Sequence, residues 1–204
     1  MNNRITTIIF DWAGVFCSPG ELFSSKQLLT ATGENVDGMI RRINKYGIQD
    51  EYYRGKITSN QFWKRVFAEY DLKGFTAKDM NDSYLASYKP YPSILAIPKK
   101  LKSRFKVALL SNLTEEMMRH IVKTHELRPK FHAMFFSNRE GRLKPEPEMF
   151  NIALIKLESK PEETLFIDDT KSNLTAAKKM GMKTLRFTTP KKLIADLRKM
   201  KLLY

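Results

Sequence analysis

Ile8-Ile9-Phe10-Asp11-Trp12-Ala13-Gly14-Val15 is an apolar run that stops on a carboxylate and then turns at a glycine. A strand buried on both faces reads as such a run, and its polar terminus marks where the chain leaves the sheet. The same pattern returns twice, at Leu109-Leu110-Ser111-Asn112 and at Phe166-Ile167-Asp168-Asp169. Working outward from these ends, five β-branched and aromatic segments predict strands: Ile5–Asp11, Lys106–Asn112, His132–Ser137, Thr164–Asp169 and Lys183–Phe187.

Helical patterns lie between the strands. Thr114 is placed to cap a helix whose first turn carries Glu115 and Glu116, the charge sign that suits a helix N-terminus. Pro145 and Pro147 sit at a helix start, and Met149, Ile152 and Leu157 continue its apolar stripe. Ser172 to Met180 reads as a further helix, stopped by Gly181. Strands alternating with helices predict an α/β fold with a doubly wound parallel sheet.

One interval breaks the alternation. From about Cys17 to Tyr88 only helical stripes occur, one of Met39, Ile40 and Ile43, another of Phe62, Trp63, Val66 and Phe67. Pro90 and Pro92 mark the return. The expected organisation is a core of residues 1–16 and 89–204 and an inserted helical domain of residues 17–88.

The totals narrow the function. The 204 residues suffice for one α/β domain with an insertion, and 42% hydrophobic content is that of an ordinary globular protein. No stretch approaches the ~18 uncharged apolar residues of a membrane span, and the first strand follows Met1-Asn2-Asn3-Arg4 without a leader pattern. With Cys17 as the single cysteine, intrachain disulfides and thiolate clusters are excluded. A cytoplasmic protein is expected. The net charge of +14 is spread along the chain, densest at Lys99 to Lys106 and Lys191 to Lys201, without nucleic-acid-binding spacing. It suits an anionic small-molecule substrate better than nucleic acid or a membrane. The oligomeric state is left open.

In open parallel sheets, ligands bind beyond the C-terminal strand ends. Asp11 can be a nucleophile, since a carboxylate attacking phosphorus divides hydrolysis into two easier displacements. Ser111 and the main-chain N–H groups after it, from Asn112 on, can hold phosphoryl oxygens. Lys144, in the loop Gly141-Arg142-Leu143-Lys144-Pro145, offsets repulsion between Asp11 and an anion. Asp11 and Asp169 offer the hard oxygens that Mg²⁺ prefers.

These four groups, in this order, resemble the motifs of the haloacid dehalogenase-like (HAD) hydrolase superfamily over nearly the whole chain. Asp11 matches the first motif, Ser111 the second, Lys144 the third, and Asp168-Asp169-Thr170 with Asn173 the fourth. The insertion resembles the family's helical cap. Its Tyr53-Arg54-Gly55-Lys56-Ile57-Thr58 and Phe62-Trp63 are similar to caps of sugar-phosphate phosphatases and epoxide hydrolase N-terminal domains. The resemblance implies a Mg²⁺-dependent hydrolase of a small phosphorylated metabolite. Asp11 would form an aspartyl-phosphate and bind metal with Asp169 and the main-chain carbonyl of Ala13. Asp168 would act indirectly, Ser111 and Lys144 would clamp the phosphate, and Asn173 would hydrogen-bond a metal-bound water.

One departure matters. The family's phosphatases carry a second Asp two residues after the nucleophile, as acid and then base; here that residue is Ala13. A positioned acid–base is typically worth ~10²–10⁴ in rate. Three readings follow. The first is a phosphatase of reduced or narrowed activity, served by another acid such as Glu21 or a water. The second is C–P cleavage, because phosphonoacetaldehyde hydrolases of this superfamily resemble Asp11-Trp12-Ala13-Gly14 and use a cap lysine, for which Lys45, Lys56 and Lys64 are candidates by location. The third is a non-enzymatic phosphate- or metal-binding protein. Cys17 reads as a space-filling residue, and His120 and His125, five apart on one helix, as surface residues and not metal ligands.

Overall fold

The computed structural model describes residues 4–18, 30, 32, 33 and 42–204. All five predicted strands are present: β1 (Thr7–Phe10), β2 (Lys106–Ser111), β3 (Ala133–Phe136), β4 (Thr164–Asp168) and β5 (Lys183–Arg186). Each ladder is a residue or more shorter than its apolar run. The sheet is parallel throughout, in the order β3-β2-β1-β4-β5.

Burial on both faces follows from the period-two alternation of strand side chains. Ile8, Phe10, Leu109 and Ile167 enter one apolar cluster, completed by Met117 and Ile121 of the helix Glu115–Thr124 and by Leu193 and Leu197 of the helix Pro190–Lys199. Ile9, Leu110 and Phe166 enter the other, against Met149, Phe150 and Ala153 of the helix Pro147–Lys156 and Ala177 of the helix Lys171–Lys179. Thr114 caps its helix by accepting the N–H of Met117, as its position predicts. Of the two prolines expected at the next helix start, only Pro147 is helical.

The described part of the insertion is helical, with Ile48–Tyr53, Ser59–Glu69 and Ala77–Ser87. Two of these helices open on a capping box, Thr58 with Gln61 and Thr76 with Asp79. Phe62, Trp63 and Val66 are buried as their stripe predicts, and Phe62 stacks on Tyr52 at 4.5 Å between centroids. Ile43 is also buried; Met39 and Ile40, its predicted partners, lie outside the described residues. The two segments expected to bound the insertion lie side by side. The N–H of Ser18 donates to the Lys89 carbonyl at 2.9 Å, and Cys17 bridges Pro90.

The insertion is also fastened to the core. Tyr52 donates its hydroxyl proton to Glu116 at 2.7 Å, the Ser137 hydroxyl donates to the Tyr53 carbonyl at 2.7 Å, and the Arg54 guanidinium pairs twice with the Glu146 carboxylate.

Candidate active site

The register brings the polar strand ends together. Phe10 lies level with Leu109 on one side and Ile167 on the other, so Asp11, Ser111 and Asp168 emerge side by side at three adjacent ends. The chain builds outward from β1 to β3, then returns to add β4 on the opposite side of β1. This reversal of strand order is where such sheets bind ligands. Lys144 reaches the same point from the loop after β3. Leu143 anchors that loop in the core, and Asn112 grips it twice, donating to the Lys144 carbonyl and accepting its N–H, both at 2.9 Å.

Lys144 is the hub. Its ammonium lies 2.7 Å from Asp11 Oδ1 and 2.8 Å from Asp168 Oδ2, with all three groups buried. The Ser111 hydroxyl donates to Asp11 Oδ1 at 2.6 Å. Asp168 is fully engaged: Oδ2 also accepts from Asn173 at 3.1 Å, and Oδ1 accepts the N–H of Thr170 at 2.7 Å. Asp11 Oδ2, by contrast, has no partner among the described residues. Asp11, Ala13, Ser111, Lys144, Asp169 and Asn173 line a cleft of about 340 Å³.

Charge follows from this packing. Burial pushes the Asp11 carboxyl up to about 6, and the Asp168 charge adds to the rise, against Lys144 and the Ser111 hydroxyl. Burial and Asp168 likewise raise Asp169. Burial works against the Lys144 charge, but Asp11 and Asp168 outweigh it and hold the ammonium above its ordinary range. Oxygens of Asp11, Asp168 and Asp169 lie within 4.8 Å of one another, so three carboxylates against one ammonium leave a formal excess of two negative charges. All-oxygen donors with that excess fit a hard divalent cation.

The expected residues Asp11, Ala13, Ser111, Asn112, Lys144 and Asp169 therefore all border one cleft. Several details differ from expectation. The Asn112 side chain is committed to the Lys144 main chain, so only its N–H is left to a ligand. Asp168 holds Lys144, and its carboxylate is engaged by three contacts, from Lys144, Asn173 and the N–H of Thr170. Gly14 is the residue that sequence reasoning passed over. Its φ of +80° and the Asp169 carboxylate packed where a Cβ would stand both require glycine. The Trp-Ala-Gly turn after a strand was the available signal.

Among the alternative groups, Lys45, Lys56 and Lys64 are exposed and line no part of the cleft. Glu21 lies outside the described residues. Cys17 is buried, and burial followed by the Asp11 charge pushes its thiol up to about 12, so it is an inert filler. His120 is exposed, but His125 corrects its surface assignment: its ring packs on Trp12 at 5.3 Å.

A parallel sheet with three carboxylates and a lysine gathered beyond the strand ends at its switch point defines a doubly wound α/β protein with a charged ligand cleft. The family described as haloacid dehalogenase-like hydrolase matches residues 20–187, and the chain belongs to it. Among curated relatives, D-ribitol-5-phosphate phosphatase of Bacteroides thetaiotaomicron is 25% identical over 196 residues, 89% of this chain and 91% of the relative. Bifunctional epoxide hydrolase 2 of Rattus norvegicus is 27% identical over 195 residues; these span 86% of this chain but only 35% of that relative. A predicted HAD-like hydrolase of Porphyromonas gingivalis superposes with a TM-score of 0.81 at 20% identity, covering 97% of this chain and 98% of its own. A HAD family enzyme of Bacteroides thetaiotaomicron, solved with magnesium and inorganic phosphate, superposes with a TM-score of 0.74 at 22% identity, over 90% and 94% of the two chains. Among the described residues no helix is long and apolar enough to cross a membrane.

Proposed function

We propose that this chain is a Mg²⁺-dependent phosphomonoesterase of a small metabolite, acting through an aspartyl-phosphate on Asp11. One observation carries the reading: Lys144 and Ser111 hold Asp11 Oδ1, and Oδ2 of this cleft-lining carboxylate has no partner among the described residues. Asp11, Asp169 and the main-chain carbonyl of Ala13 would hold the metal, which supplies charge neutralisation for an incoming phosphate. Lys144, the Ser111 hydroxyl and the Asn112 N–H hold phosphoryl oxygens in line with Asp11. Asp168 and Asn173 keep Lys144 protonated and fixed. The magnesium- and phosphate-bound relative supports the ligand pair, and the ribitol-phosphate phosphatase supports a small alcohol as leaving group.

C–P cleavage finds less support, because it needs an amine facing Asp11 from the insertion and the three lysines considered for it are exposed. The deciding experiment measures aryl phosphate hydrolysis with and without Mg²⁺. Wild type is expected to turn over with metal, Asp11→Asn to lose activity, and Ala13→Asp to gain ~10²-fold or more, within the range a positioned acid–base is worth. Absence of turnover in wild type together with no gain in Ala13→Asp overturns the reading in favour of a phosphate-binding protein.

A further inference from the structure

The Lys144 ammonium is held by carboxylates of the core, but the loop that carries it is also held from the insertion. Glu146 closes this loop on itself. Its Oε2 accepts the N–H of Leu143 at 3.2 Å, and its own N–H donates to the Leu143 carbonyl at 2.8 Å. Arg54 then clamps the closed loop. Its Nη1 donates to Glu146 Oε2 at 3.0 Å and to the Gly141 carbonyl at 3.3 Å, and its Nη2 donates to Glu146 Oε1. Gly141 and Glu146 lie on either side of Lys144 in the chain, so one planar fork grips the loop at both ends.

The residues beside Arg54 are seated as closely. Gly55 has a φ of +70°, and a Cβ on it would stand 2.2 Å from the main-chain oxygen of Asn138, so the turn rests backbone to backbone on the segment after β3. On the other side, the Tyr53 carbonyl accepts from the buried Ser137 hydroxyl at 2.7 Å. That hydroxyl in turn accepts the N–H of Leu113 at 3.0 Å, two residues past Ser111. Three consecutive residues of the insertion thus bear on both segments that hold phosphoryl oxygens in the reading above, one carrying Ser111 and Asn112, the other Lys144. Their hydrogen bonds go to neither Asp11 nor Asp169.

We propose that Arg54 is a positioning residue of the phosphate site: acting through Glu146, it fixes the Lys144 loop and makes the seating of the insertion a condition of phosphate binding. The proposal rests on the phosphomonoesterase reading. Arg54 itself lines no part of the cleft. It acts on where Lys144 lies, together with Asn112, which grips the Lys144 main chain from the end of β2. Without Arg54 the Glu146 side chain keeps only the Leu143 N–H, and the loop keeps one of its two outside holds. The ammonium then moves away from the place where an incoming phosphoryl oxygen needs it, and a misplacement of about 1 Å costs up to ~10² in rate. The metal responds in the opposite sense. An ammonium displaced from Asp11 no longer repels a divalent cation there, so metal affinity holds or rises.

The test is calorimetric binding of Mg²⁺ alone and of inorganic phosphate in saturating Mg²⁺, with kcat/KM on an aryl phosphate beside them. Arg54→Ala is expected to weaken phosphate about tenfold, to lower kcat/KM by up to ~10²-fold, and to leave Mg²⁺ affinity unchanged or tighter. Gly55→Ala, which lifts the same turn off Asn138, is expected to reproduce that split. Arg54→Lys, which keeps the charge and gives up the fork, is expected to show it in smaller measure, so the test stands even where Arg54→Ala does not fold. A general loosening of the protein weakens both ligands together, and that result overturns the role of Arg54. Unchanged phosphate affinity in all three variants overturns it as well. Either result leaves the phosphatase reading intact, whereas a wild type that neither binds phosphate nor turns over with metal overturns both.

Discussion

At the residue scale, Gly14 is the most constrained position after the nucleophile. Its left-handed backbone costs an L side chain about 1–2 kcal/mol, and its missing Cβ is the space in which Asp169 stands. Gly14→Ala is therefore expected to lower stability by about 1–2 kcal/mol and to push Asp169 out of the acidic cluster. Thermal unfolding reads the first effect and a Mg²⁺ titration by calorimetry the second, with weaker binding as the expected result. Asp11, Ser111, Lys144 and Asp169 were legible in the sequence because each ends an apolar run or follows one closely. Asn112, Asp168 and Gly14 were visible as residues but not in their roles. Which carboxylate holds Lys144, and which faces the cleft, depends on how the loop after β3 crosses the sheet, and that crossing leaves no local periodicity.

At the element scale, the Tyr52–Gly55 turn joins the insertion to the core through Arg54 and Glu146, two residues after Lys144. The hydrogen bond from Arg54 holds the Glu146 carboxyl below its ordinary value of 4.5. A lowered carboxyl adds stability that is present above 4.5 and is lost as pH falls through the lower folded value. The difference in unfolding midpoint between wild type and Glu146→Gln should accordingly be present at neutral pH and vanish in acid, below the ordinary glutamate range. A constant difference across that range would place the stabilisation elsewhere. The strands and core helices were readable from alternation and caps, since each is dictated within about ten residues. The contact between the Tyr53 and Tyr84 hydroxyls was not, because these residues lie 31 apart on different helices and meet only when those helices pack.

At the scale of the whole molecule, the formal charge of +14 surrounds a site with a formal excess of two negative charges. The surface field draws anions toward the protein, and salt screens it over a distance of about 10 Å at 0.1 M. Raising ionic strength is expected to lower kcat/KM for a phosphomonoester several-fold, mainly through KM. A salt-independent KM would assign the positive charge to some other purpose.

The sheet order also sets a schedule. Thr7 of β1 pairs with Thr164 of β4, 157 residues later in the chain. At ribosomal speeds of about 5–20 residues per second, β1 waits roughly 8–30 s for that neighbour. Lys144 emerges within that interval, after Asp11 and before Asp168. The cation is thus already available at Asp11 when the second carboxylate arrives, and the nascent chain never has to bring two bare anions together. Moving the Lys144 loop behind β4 by circular permutation would reverse that sequence of events without changing a single contact in the finished protein.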